Sequence, residues 1–145
     1  MASIFDVARY ILQKCGKMST WKLQKLCYYA QAWQLAWTEQ PIFDEDFEAW
    51  ANGPVCPELF HAHRGKFVIS ESDFQRGNPD NLTEDEKETI DIVLGGYGDK
   101  EPYDLRTLTH MEAPWKDARG DLPEGAKSNA LISKPPCPHT WHHHK

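Results

Sequence analysis

Residues 18–41 read MSTWKLQKLCYYAQAWQLAWTEQP, and this stretch decides the fold. Ser19 stands where a helix N-cap is wanted, because its hydroxyl can accept from a first-turn N–H that has no partner inside the helix. Met18 and Leu23 occupy the two positions of a hydrophobic staple, which fixes the angle at which the chain enters. Leu23, Leu26, Cys27, Ala30, Trp33 and Trp37 then recur at helical spacing along one face. The pattern stops before Pro41, since the residue ahead of a proline is pushed out of the helical region. A long amphipathic helix with one apolar stripe is predicted.

Upstream, Ile4, Phe5, Ala8, Ile11, Leu12 and Cys15 fall on one face of another helix, which Gly16 stops. Cys15 and Cys27 both read as core residues. Downstream of Pro41, Phe47, Ala49 and Ala51 alternate with polar neighbours and predict a short strand ending in a turn at Asn52-Gly53-Pro54. Pro57 suits the first position of a short helix through His63, and Phe67, Val68 and Ile69 predict another short strand. Residues 70–81 read as a polar loop. Thr83 and Glu86 form a capping box for a helix whose apolar side is Ile90, Val93, Leu94 and Tyr97 and whose stop is Gly95-Gly96 or Gly98. A further helix is predicted from an Asp104 cap to Pro114. The expected architecture is mainly α, a single compact helical domain with a small two- to three-stranded antiparallel β element.

The 145 residues are enough for one core, and the six tryptophans give it large side chains to bury. No run approaches the roughly 20 apolar residues of a membrane span, so neither a span nor a signal peptide is expected. The four cysteines are widely spaced without a CxxC pair, which argues for a reducing, cytoplasmic setting over a disulfide framework. The net charge of −6 is unevenly placed: +3 on residues 1–40, −11 on residues 41–104 and +2 on the remainder. An acidic middle repels phosphate backbones and attracts a basic partner, so direct nucleic-acid binding is not expected. The other reading of that middle is a solvated face.

Catalytic chemistry would start from Cys56 with His61, His63 and His110, because a thiolate nucleophile needs an imidazole in reach. No flanking signature marks these residues, and a lone cysteine is more often a small core residue. Metal binding has one local candidate, Cys137 and His139 with His142, His143 and His144 in the Pro-rich tail, adventitious at most. The Gly95-Gly96-Tyr97-Gly98 stretch lacks the ending of a phosphate-binding loop, and no cofactor is expected. Two aromatic and turn clusters carry more weight. Trp50, Asn52, Gly53 and Pro54 form one; His110, Pro114 and Trp115 form the other. Each joins a large aromatic to residues that stiffen the backbone, which suits either core plugging or a preorganised docking anchor. Asp44, Glu45 and Asp46 are a candidate contact for a basic partner.

FDVARYIL at 5–12, KLQKLCYYAQAW at 22–33, EAWANGPV at 48–55, THMEAPWKDAR at 109–119 and Ile132-Ser133 resemble, in order, the Panacea domain, the family of SocA-like antitoxins and phage-associated GepA-like proteins. The resemblance implies a mainly helical fold and a binding protein without chemistry of its own, which neutralises a cognate toxin directly or as an adaptor for a cytoplasmic ATP-dependent protease. Residues 1–133 are expected to form that domain. Residues 134–145 depart from it, since Pro135, Pro136 and Pro138 forbid the first turns of the last helix that members carry; self-association could follow. The alternatives are a cysteine- or metal-dependent hydrolase, or a phage-associated regulatory or interaction protein.

Overall fold

The structure, a computed structural model, describes residues 1–51 and 53–98. Its centre is helix α2 (Thr20–Thr38), which follows α1 (Ile4–Cys15) and strand β1 (Met18–Ser19). Then come β2 (Glu48–Trp50), β3 (Gly53–Val55), α3 (Pro57–His63), β4 (Val68–Ile69), two 3-10 turns at Glu71–Asp73 and Pro79–Asn81, and α4 (Glu84–Tyr97). The described chain is mainly helical, and its β content is divided into two antiparallel two-stranded ribbons, β1–β4 and β2–β3.

Local signals place the helix ends where the sequence puts them. Ser19 Oγ accepts from Lys22 N–H at 3.1 Å. Thr83 and Glu86 make their reciprocal pair at the start of α4. The helix α4 runs through Gly95 and Gly96 and closes at Gly98. At α1, Ser3 and Asp6 form a second capping box, and Glu45 Oε1 accepts from Ile4 N–H at 3.2 Å, an anion at the positive end of a helix dipole.

The single-stripe expectation for α2 is corrected. Every residue from Leu23 to Leu35 is buried, polar ones included, because α1, α4 and β3 all pack against this helix. Buried amides must find partners, and they do. Gln31 donates to Phe43 O at 2.8 Å and accepts from Ile42 N–H at 2.8 Å; Gln34 Oε1 accepts from Thr89 Oγ1 at 2.6 Å. Trp37, expected on the stripe, is 38% exposed, and Cys15, expected in the core, is exposed. Both stand at the last turn of their helices, and the Trp37 ring lies against Trp33 with centroids 5.0 Å apart.

Residues 70–81, expected as a loop, contain the two 3-10 turns and are clamped to α1. Asp6 Oδ1 accepts from Asn78 N–H at 2.6 Å, and Arg9 donates to Gly77 O at 2.8 Å and to Glu71 at 3.2 Å. The FDVARYIL stretch thus carries two of its polar residues for docking this segment. From the same helix, Tyr10 donates to Asp91 at 2.8 Å, and burial together with that bond pushes its phenol up to about 12. The pair ties α1 to α4. A stacked pair, Tyr29 and Tyr97 with centroids 4.2 Å apart, ties α4 to α2.

Candidate partner-docking site

Three elements bring aromatic rings to one place. Trp21 comes from the first turn of α2, Trp50 from β2 and Phe60 from α3. The Trp50 and Phe60 rings meet edge to face at 5.0 Å, and Trp21 lies 6.4 Å from Phe60. All three are half-buried, so each ring packs on one side and meets solvent on another. The Trp50 indole N–H donates to Glu48 Oε1 at 2.8 Å, two residues back on the same strand face, which fixes the ring. Lys25 is buried, donating to Pro54 O at 3.3 Å with its ammonium 5.3 Å from the Trp21 ring. It fastens the β2–β3 ribbon to α2.

A second polar node holds α3. Cys56 N–H donates to Gln24 Oε1 at 2.8 Å, and Gln24 Nε2 donates to Cys56 O at 3.2 Å. The amide orientation so fixed turns Nε2 toward His63 Nε2 at 3.0 Å, where the imidazole nitrogen must accept. His63 is buried, and that burial lowers its pKa from the usual 6.5. A neutral His63 therefore stabilises the fold above pH 6.5, and this contribution is lost as pH falls through the lowered folded-state pKa. Urea midpoints should decline as pH drops from 7.5 to 5, with a smaller decline in His63→Gln; equal declines would contradict the node.

The ring cluster contains Trp50, but Gly53 and Pro54 are buried strand residues, and the turn precedes them. β3 lies on α2, and Gly53 pairs with Trp50 across the ribbon, so these two residues support the strand that carries Trp50. Asp44 and Asp46 are exposed, whereas Glu45 is half-buried on the α1 N-terminus. Asn52, His110, Pro114 and Trp115 lie outside the described residues, as do the Asp104 helix and the tail with His142, His143 and His144.

Among the described residues, Cys56 with His61 and His63 does not assemble as a nucleophile site. Burial pushes the thiol up to about 12, its Sγ lies 3.7 Å from the Glu58 carboxylate, and His61 is exposed while His63 is committed to Gln24. A protonated thiol beside an anion is poorly placed to attack. Among the described residues, no group of three or more His, Cys, Asp or Glu stands close enough to hold a metal ion.

A family model described as "Antitoxin SocA-like, Panacea domain" matches residues 23–116, which is more than half of the chain. The chain belongs to this family. No curated protein and no solved structure gives a match. The match takes in Gln24, Lys25, Trp50 and Phe60, and also His110, Pro114 and Trp115. Panacea membership carries an antitoxin-type function and, in general, a toxin as partner. Among the described residues no helix is long and apolar enough to cross a membrane.

Two rings of the cluster escape a reading by sequence. Trp21 lies on the side of α2 opposite the Leu23 stripe, and Phe60 sits in a helix of seven residues, too short to show a period. The signal for Trp21 was there: a tryptophan off the apolar stripe at a helix start needs another element to lie against.

Proposed function

We propose that the protein neutralises a cognate toxin by direct binding, with Trp50 as the central anchor of a face formed by Trp21, Trp50 and Phe60. The observation that carries this reading is the convergence of three half-buried rings from three separate elements. Hydrogen bonds hold the supporting ribbon and helix in place, so little side-chain freedom remains to be lost on binding. Large aromatics in such settings supply most of the energy of protein interfaces.

The partner is a basic toxin, and the exposed Asp44 and Asp46 beside a strongly acidic middle segment steer its approach. Binding takes place in the cytoplasm. Residues 1–133 act as the binding domain, with His110, Pro114 and Trp115 as further contact residues and residues 134–145 outside it. An adaptor role, delivering the bound toxin to an ATP-dependent protease, would use the same face and differ only in the fate of the toxin.

The test is co-expression with the product of the neighbouring reading frame. The parent chain should restore growth and co-purify with the toxin, and Trp50→Ala should lose both while keeping its helical circular dichroism. Full rescue by a folded Trp50→Ala chain would overturn the assignment. Disappearance of the toxin during rescue, instead of its accumulation in a complex, would mark the adaptor mode.

A further inference from the structure

Among the described residues, two exposed apolar patches of opposite charge lie on residues other than the Trp50 face. The first is on the β1–β4 ribbon, where Phe67 is 73% and Val68 48% exposed. Lys17, Arg64 and Lys66, all exposed, flank it in the chain. Thr20 N–H donates to Phe67 O at 2.9 Å, so the alternation of an antiparallel ladder turns the Val68 backbone groups away from β1. That is an open strand edge, a feature proteins normally cover, with the apolar Phe67 and Val68 side chains leaving it on alternate faces.

The second patch is on α4. Ile92 is 53% exposed. Asp85, Glu88, Gly95 and Gly96 share its helix face and are exposed. No described atom comes within 4 Å of a Cβ built at Gly95 or Gly96, so packing inside the fold does not require glycine at either place. Adjacent glycines weaken a helix relative to alanine. Close approach of another surface is a use that bare backbone serves.

One patch is apolar with a basic rim, and the other is apolar with an acidic rim. We infer that the Phe67–Val68 edge of one copy of this chain docks on the Ile92 face of α4 of a second copy. Lys17 and Arg64 meet Asp85 and Glu88, Lys66 being paired with Asp73 of its own chain at 3.5 Å, and the Phe67 ring lies over the ledge that Gly95 and Gly96 leave open. Each contact is heterologous, joining two different patches, and it does not depend on the toxin reading.

Sedimentation equilibrium of the full chain at low and high salt tests this. The expected mass exceeds the 16.7 kDa of one chain, declines toward it as salt rises, and falls to one chain in Phe67→Ser and in Ile92→Ser. Arg64→Glu and Glu88→Arg should each weaken association, and the two together in one chain should restore it. Circular dichroism checks that every variant is folded. A parent chain that stays at one chain's mass, or a folded Phe67→Ser chain that associates unchanged, would overturn the inference. So would restoration failing in the double variant, which would point to a partner other than a second copy.

Discussion

Gly77→Ala should strongly destabilise the fold. Gly77 has φ +91, and a Cβ built there would stand 2.7 Å from both the carbonyl carbon and the oxygen of Phe5 and 2.9 Å from its Cβ. The backbone cannot retreat, because Arg9 holds Gly77 O at 2.8 Å and Asp6 holds Asn78 N–H at 2.6 Å. Backbone strain and overpacking together should cost roughly 2–5 kcal/mol, a drop in Tm of about 10–20 °C for a domain of this size. Gly65 is the control: its φ is +86, yet no atom lies within 4 Å of the Cβ position. Gly65→Ala should therefore show only the strain, about 1 kcal/mol. Equal thermal shifts for the two variants would mean that the approach of residues 70–81 to α1 is looser than described.

Gln24→Leu removes one amide and orphans two buried groups. Cys56 N–H and the His63 ring nitrogen bond to the Gln24 side chain, and leucine keeps its volume while offering neither a partner; Cys56 O, which also accepts from Gln24, keeps the Phe60 N–H at 2.9 Å. Each buried group left unpaired costs about 1–3 kcal/mol, so a loss of roughly 2–6 kcal/mol is expected, read as a lower urea midpoint at constant slope. The damage should be transmitted to function as well. Gln24 and Lys25 fasten the chain on either side of Val55, and that segment carries Trp50 on the paired strand. A midpoint unchanged within about 0.5 kcal/mol would show the node to be dispensable.

The contrast between these two residues and the helix caps explains what could be read from the sequence. Ser19, Thr83, Glu86 and Pro57 act on groups three residues away or nearer, so their roles are visible in short windows. Ser3 and Asp6 follow the same local rule, although no cap is predicted there. Gln24 acts over 32 positions and Gln31 over 12, and a polar residue in a helix gives no sign of which distant backbone it will meet. β4 is expected from Phe67, Val68 and Ile69, but its partner β1 is hidden for another reason. A strand of two residues has no alternation to detect, and Ser19 in β1 is already used as the α2 cap. In the candidate site, Trp50 stood out because turn residues follow it. Its neighbours Trp21 and Phe60 needed the fold.

The family assignment gives an antitoxin-type function, and the ring cluster is the place proposed for it. An interface anchor truncated to alanine typically costs 2–4 kcal/mol of binding, on the order of 30- to 1,000-fold in affinity. Titration calorimetry of the toxin with the parent chain and with Trp50→Ala, each verified as folded, measures this directly. The account predicts at least a ~30-fold weaker Kd for Trp50→Ala, together with a parent association rate that falls as salt rises. An unchanged Kd for a folded Trp50→Ala chain would contradict it and move the toxin to another surface.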